Sequence, residues 1–341
     1  MSLDIDRLGG YLGAQGLGSG QRPTLTALSG GQSNPTYRVE VGGERYVLRK
    51  KPSGALLPGA HAIDREYRVM HALHGTAVPV PRMLTYCDDA TVLGTPFYLM
   101  EWLEGRVLID QALPGMPREE RAAIYGEMNR VIAALHAIDP AATGLADYGK
   151  PGNYFARQIS RWSRQCVEST LPMSTAMHRL IDWLPEHIPP GDETTLVHGD
   201  FRLDNLVFHP TEPKVLGVLD WELSTLGHPL ADFAYHCMSW HIPASLWRGI
   251  GGLDLDHLGI PQERPYVQAY AAATGRDPMA HWDFCMAYNL FRMAAILRGI
   301  GQRLVDGTAA SADAAQTASK ADPLAELGWV CAQRHAARHG A

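Results

Sequence analysis

Charge is scarce in this chain, and cationic charge scarcer still. Asp, Glu, Lys and Arg together make up 19% of its 341 residues, below the roughly 25% of an average globular protein. The 30 Lys and Arg are outnumbered by 36 Asp and Glu, for a formal charge of −6. That balance excludes a nucleic-acid binder that works through a large phosphate-neutralising surface. Cysteine is rare too: Cys87, Cys166, Cys237, Cys285 and Cys331 stand far apart, odd in number and without a Cys-x-x-Cys pair. They exclude a disulfide framework and fit free thiols in a reducing compartment. No stretch of about 18 uncharged apolar residues occurs, so no membrane span is expected. The opening residues, MSLDIDRLGGYLGAQG, carry acids where a signal peptide has Lys or Arg, and a cytoplasmic location is expected. The absence of G-x-x-x-x-G-K-[ST] excludes a P-loop nucleotide hydrolase.

Apolar residues, by contrast, reach 46%, which with so little charge excludes wholesale disorder. At roughly 150 residues per domain the length suggests about two domains. The first hundred residues read as strands and turns around one helix. Strand patterns at 25–28, 37–41 and 45–49 flank a small-residue loop at 29–35 and a Gly42-Gly43 hairpin turn. A helix is expected from Asp64 to about Leu73, then strands near 83–87 and 97–102. Beyond Gly105 the period becomes helical: 117–138, 153–168, 173–187, 282–304 and 322–337. A strand-rich island at 195–197, 206–209 and 215–219 interrupts them. The reading is α+β: a small antiparallel β-sheet lobe with one helix over residues 1–104, a larger mainly helical lobe over 105–341, and a hinge near 101–106.

The chemistry concentrates between residues 196 and 232. His198-Gly199-Asp200-Phe201-Arg202-Leu203-Asp204-Asn205 places Asp200 and Asn205 at the D-x-x-x-x-N spacing of a kinase catalytic loop. Asp220 follows 15 residues after Asn205. Phosphoryl transfer needs a carboxylate at the acceptor hydroxyl and an amide oxygen reaching a nucleotide-borne Mg²⁺. It needs a second carboxylate returning to the same metal. A hairpin over 206–219 returns Asp220 to Asn205, and hard oxygen donors in small number suit Mg²⁺. Each residue alone reads as an ordinary helix cap or turn acid; order and spacing together favour the catalytic reading.

HGDFRLDN followed by LDWELSTLGHPLADFA resembles the aminoglycoside phosphotransferase and choline-kinase-like superfamily, relatives of protein kinases. More narrowly, it resembles the branch fused to certain acyl-CoA dehydrogenases and found as stand-alone bacterial phosphotransferases. The resemblance extends from about Leu25 to Leu304. It implies a two-lobed protein-kinase-like fold, ATP and Mg²⁺ as cofactors, Asp200 as catalytic base, and Asn205 and Asp220 as Mg²⁺ ligands. His198 would support the loop and Asp232 would brace it from below. In the small lobe, Arg45–Arg49 reads R-Y-V-L-R. Val47 would roof the adenine and Arg49 would hold the α- and β-phosphates by a fork of N–H donors, where kinases carry lysine. Lys50 is the alternative after a one-residue slip. Glu66 matches the family's helix glutamate that orients this cation. Loop 29–35 would cover the triphosphate through backbone N–H groups and the Ser33 hydroxyl. Backbone groups of Glu101 and Leu103 would read the adenine edge. His71, His74, His236 and His241 lack the ligand spacing of a zinc site.

The acceptor is expected to be the hydroxyl of a small molecule, bound by the helical lobe. Residues 240–341 hold nine acids and nine Lys or Arg, not the carboxylate surplus that a polycationic aminoglycoside prefers. Trp240, Trp247, Trp282, Tyr288 and Phe291 are candidates for an aromatic cage around a choline-like ammonium. The resemblance to the fused branch implies a 4-hydroxyacyl-CoA, with Arg292, Arg298 and Arg303 as candidates for the CoA phosphates. An aminoglycoside or choline-like kinase and a non-catalytic nucleotide-binding protein stand as alternatives.

Overall fold

In the computed structural model, residues 3–28, 34–54, 61–308 and 313–339 are described. Helix α1 (Ile5–Ala14) starts at Asp4, whose carboxylate accepts from the Arg7 N–H at 3.0 Å. Strands β1 (Thr24–Ala27), β2 (Thr36–Val41) and β3 (Glu44–Lys50) follow, then α2 (Ile63–Leu73), β4 (Met83–Cys87), α3 (Ala90–Leu93) and β5 (Phe97–Glu101). The five strands form one antiparallel sheet in the order β1-β2-β3-β5-β4. Alternation along β3 turns Tyr46 and Leu48 into a core with Leu8, Leu12, Phe97 and Leu99, which leaves Val47 and Arg49 on the opposite face. Among the described residues, three α-helices therefore accompany this sheet where one was expected. Helix α1 contains Gly9, Gly10 and Gly13; burial of Leu8 and Leu12, not propensity, stabilises it.

The short β6 (Arg106–Val107) leads to α4 (Arg118–His136), α5 (Tyr154–Glu168), α6 (Thr175–Glu186) and β7 (Thr195–Val197). Next come β8 (Leu206–Phe208), β9 (Val215–Val218) and β10 (Thr225–Gly227). The rest is helical: α7 (Pro229–Cys237), α8 (Leu255–Leu258), α9 (Glu263–Thr274), α10 (Trp282–Val305), α11 (Ala314–Ala318) and α12 (Ala321–His339). Every residue of α10 from Trp282 to Ala295 is buried, as befits a helix surrounded by others.

Two compact units emerge. The first comprises Met1–Val107, Pro140–Tyr148 and Asp204–Ser224; the second comprises Leu108–Asp139, Gly149–Leu203 and Thr225–Ala341. The β8–β9 hairpin, which sequence order had grouped with the helices, belongs to the first unit. Strand β6 pairs with β8 through Arg106↔Phe208 and Val107↔Val207, and the Val218 N–H donates to the Pro79 carbonyl at 2.9 Å. Backbone pairing, not chain order, decides where the hairpin sits.

Candidate functional site

In the first unit the hairpin brings Asn205 and Asp220 to one end. Leu206 pairs with Val218, and the Leu219 N–H donates to the Asn205 carbonyl at 2.8 Å. Asp220 then adopts φ 64° and ψ 55°, a left-handed conformation that Asp tolerates better than most residues. Trp221 pins the turn beyond it: the indole is fully buried and its Nε1 donates to the Val218 carbonyl at 2.9 Å.

The side chain of Asp220 meets Arg49. Arg49 Nη2 donates to Asp220 Oδ1 at 3.0 Å, Nε lies 2.9 Å from Glu66 Oε2, and Glu222 stands 3.9 Å away. The Nε contact is an ion pair rather than an aligned hydrogen bond. Burial works against the Arg49 charge, but Glu66, Asp220 and Glu222 push its pKa up, so it stays a cation. Glu66 is itself buried at 1% exposure. It accepts from the Asn34 amide at 2.9 Å and the Tyr98 hydroxyl at 3.1 Å. Burial pushes its carboxyl up to about 7, with Arg49 pulling the other way. Lys50 points elsewhere: its Nζ donates to the Leu93 carbonyl at 3.2 Å, on the core side. The strand register thus selects Arg49 over Lys50 as the cation beside Glu66.

Val47 lies on the Arg49 face and is largely buried. The Glu101 N–H donates to the Arg82 carbonyl while its carboxylate accepts from the Arg82 N–H, so this residue is tied to the start of β4. Leu103 packs over Gly217, where an added Cβ would come 2.4 Å from Leu103 Cδ1. Ser33 and most of loop 29–35 lie outside the described residues. The amide of Asn205 and the carboxylate of Asp220 are hard oxygen donors at one hairpin end, a pair that fits Mg²⁺ carried by nucleotide phosphates. Among the described residues no group of three His, Cys, Asp or Glu side chains could hold a metal by itself.

The second unit holds the Asp200 loop under tight constraint. Asp232, on α7, accepts from the His198 N–H through Oδ2 and from the Gly199 N–H through Oδ1, both at 2.8 Å. His136 Nε2 lies 3.2 Å from Oδ2. Burial opposes the Asp232 charge, but His136 and His198 keep its carboxyl below the usual range. The Asp200 N–H donates to His198 Nδ1 at 3.2 Å. Asp200 Oδ1 accepts from the Tyr235 hydroxyl and faces Arg202 Nε at 3.0 Å.

Other expectations are corrected by burial. Arg292 and Arg298 do not reach out to a ligand. Arg292 donates to the Gly199 carbonyl at 2.8 Å, and Arg298 donates to the carbonyls of Pro172 and Leu171 at 2.6 and 3.1 Å. Only Arg303 of the three is exposed. Trp282, Tyr288 and Phe291 are core residues, and Trp240 stacks near Tyr266 with its Nε1 on the Pro261 carbonyl. They form no open aromatic cage. His236 bonds the Tyr266 hydroxyl and His241 the Glu263 carboxylate. Asn34, Tyr98, Tyr235 and Glu222 carry no motif that reveals their contacts. Glu222 and Asn34 sat within segments already singled out, 196–232 and loop 29–35, whereas Tyr235 lies just beyond LDWELSTLGHPLADFA.

A model of the phosphotransferase enzyme family matches residues 24–288. Acyl-CoA dehydrogenase family member 10 of Mus musculus is 46% identical over 341 residues, 99% of this chain but 32% of that protein. The chain spans less than half the length of the curated relatives it matches. A solved structure from Ralstonia eutropha JMP134, provisionally described as an aminoglycoside phosphotransferase, is 52% identical. It superposes with a TM-score of 0.90 over 98% of this chain and 99% of that one. A thermostable mutant of aminoglycoside phosphotransferase APH(4)-Ia, in ternary complex with ADP and hygromycin B, shares the fold at 17% identity. Its TM-score is 0.59 over 95% of this chain and 98% of that one. With most of its length matched, this chain belongs to the phosphotransferase enzyme family, a small-molecule kinase on the protein-kinase-like fold.

Proposed function

We propose that the protein is an ATP- and Mg²⁺-dependent O-phosphotransferase that moves the γ-phosphate to a hydroxyl of a small molecule, with a 4-hydroxyacyl-CoA as the acceptor class. One observation carries the nucleotide half of this reading: Arg49 is clamped between Glu66 and Asp220 at the hairpin end that also presents Asn205. A guanidinium so oriented offers parallel N–H donors to phosphate oxygens. Val47, Glu101 and Leu103 are assigned to the adenine, and Ser33 to the triphosphate. Asn205 and Asp220 are assigned to Mg²⁺, whose bound charge would offset that of the phosphates. Residues 1–104 are assigned the larger share of the nucleotide, and residues 105–341 the acceptor.

Asp200 takes the proton from the acceptor hydroxyl as its oxygen bonds to the γ-phosphorus and the bond to ADP breaks. The protein contributes alignment and charge stabilisation, without a covalent intermediate. The ADP and hygromycin B bound together by APH(4)-Ia support a nucleotide and a small acceptor on this fold. The names of the longer relatives support an acyl-CoA. The even charge of residues 240–341 and the burial of Trp282, Tyr288 and Phe291 speak against aminoglycoside and choline-like acceptors.

The test is ADP release from Mg-ATP with a 4-hydroxyacyl-CoA, choline and an aminoglycoside in parallel, for the wild type and for Asp200→Asn. Turnover with the thioester is expected, falling at least about 10³-fold in Asp200→Asn while Mg-ATP still raises the melting temperature. Turnover with aminoglycosides alone overturns the acceptor class. Nucleotide binding without any turnover identifies a non-catalytic protein.

A further inference from the structure

Two side chains to which the proposed chemistry assigns no role converge on Asp200. Tyr235 projects from α7, and its hydroxyl donates to Asp200 Oδ1, the oxygen that also faces Arg202. Arg292 projects from α10 and lies over the Tyr235 ring, its guanidinium carbon 5.0 Å from the ring centroid. Its Nη2 donates to the carbonyl of Gly199, the residue before Asp200. Arg292 is 6% exposed, yet among the described residues it forms an ion pair with no carboxylate. A buried guanidinium without an ion-pair partner carries a desolvation cost that neutral packing partners do not offset. A phenylalanine would fill the volume of Tyr235 without a hydroxyl to desolvate. Packing alone explains neither choice.

We propose that Tyr235 and Arg292 are positioning residues for Asp200. The hydroxyl anchors Oδ1 and so fixes the direction of the other carboxylate oxygen, while the guanidinium locks the loop backbone at the residue before it. The inference rests on the reading of Asp200 as proton acceptor. The other charged or titratable groups around the pair are His198 and Arg202 on the loop, Asp232 on α7, Tyr288 on α10 and Tyr154 on α5.

The test compares the wild type with Tyr235→Phe, Arg292→Met and Arg292→Lys. Using ADP release with a 4-hydroxyacyl-CoA, Tyr235→Phe is expected to lower kcat about 10- to 100-fold, the worth of a hydrogen bond to a charged group. The KM for Mg-ATP should stay within about two-fold and the acid limb of kcat should move to higher pH, a split that a structural lesion does not give. Arg292→Lys should recover part of the rate lost in Arg292→Met. Should Arg292→Met fail to fold, Tyr235→Phe decides.

Independently of turnover, the carboxyl carbon resonance of Asp200, assigned by its loss in Asp200→Asn, should titrate at higher pH in Tyr235→Phe. An unchanged kcat and acid limb, or an unchanged titration, overturns the inference. A wild type that uses none of the three acceptors overturns the functional reading instead, and the resonance still decides the role of Tyr235.

Discussion

At the scale of single residues, the fold shifts the protonation of the largely buried charges of Arg49 and Glu66 beside the site. Glu66 is the clearest case. Burial lifts its carboxyl from 4.5 to about 7 even though Arg49, Asn34 and Tyr98 all approach it. A carboxyl raised on folding contributes stability that is fully present below its unfolded value and is lost as pH rises through the folded one. Wild type should therefore lose stability relative to Glu66→Gln between about pH 4.5 and 7, by on the order of 2–3 kcal/mol. Urea denaturation of both proteins across that range checks it; parallel curves would refute the shift. The roles proposed for Asp200, Asn205 and Asp220 come from residue type and spacing, because phosphoryl transfer demands those groups at short chain separation. Tyr235 and Asn34 were not legible in this way, because a hydroxyl or amide is neither rare nor spaced by any chain period. Arg292 was read outward as a phosphate contact, and tertiary packing turned it inward.

Among elements, the short antiparallel pairing of β6 with β8 ties the hairpin to the sheet unit. Gly105 permits it: an added Cβ there would come 2.4 Å from the Phe208 carbonyl oxygen and 2.5 Å from Val207 Cγ1. Backbone oxygen cannot step aside as a side chain can. Gly105→Ala should therefore destabilise the protein by about 1–3 kcal/mol, seen as a lower urea midpoint with unchanged slope. Wild-type stability in this variant would mean that β6 is not held against β8 in solution. Most strands and the helices α4, α5, α6, α10 and α12 were legible because alternation and the 3.6-residue period mark them, whereas β6, β10 and α9 were not expected. Helix α1 was not, since three glycines conceal its pattern and only the buried Leu8 and Leu12 justify it.

Over the whole molecule, two compact units share a chain that crosses between them repeatedly, with the hairpin of Asn205 and Asp220 in one and the Asp200 loop in the other. A ligand that binds only the folded chain stabilises it by mass action. Mg-ATP at 100 times its dissociation constant should add about 2.7 kcal/mol, read as a concentration-dependent rise in melting temperature. Loss of that rise in Arg49→Ala, with the nucleotide-free melting temperature little changed, would tie the effect to the clamp; a wild type indifferent to Mg-ATP would remove nucleotide binding altogether. The sequence by itself determined the class of chemistry and most of the longer elements, because catalytic spacing and hydrophobic period are local properties of the chain. Tertiary structure alone decided that Arg49 and not Lys50 meets Glu66, that the hairpin pairs with β6 and falls in the unit of the five-stranded sheet, and that Arg292 faces Tyr235. Each of these depends on register and burial between residues distant in sequence, which no local pattern encodes.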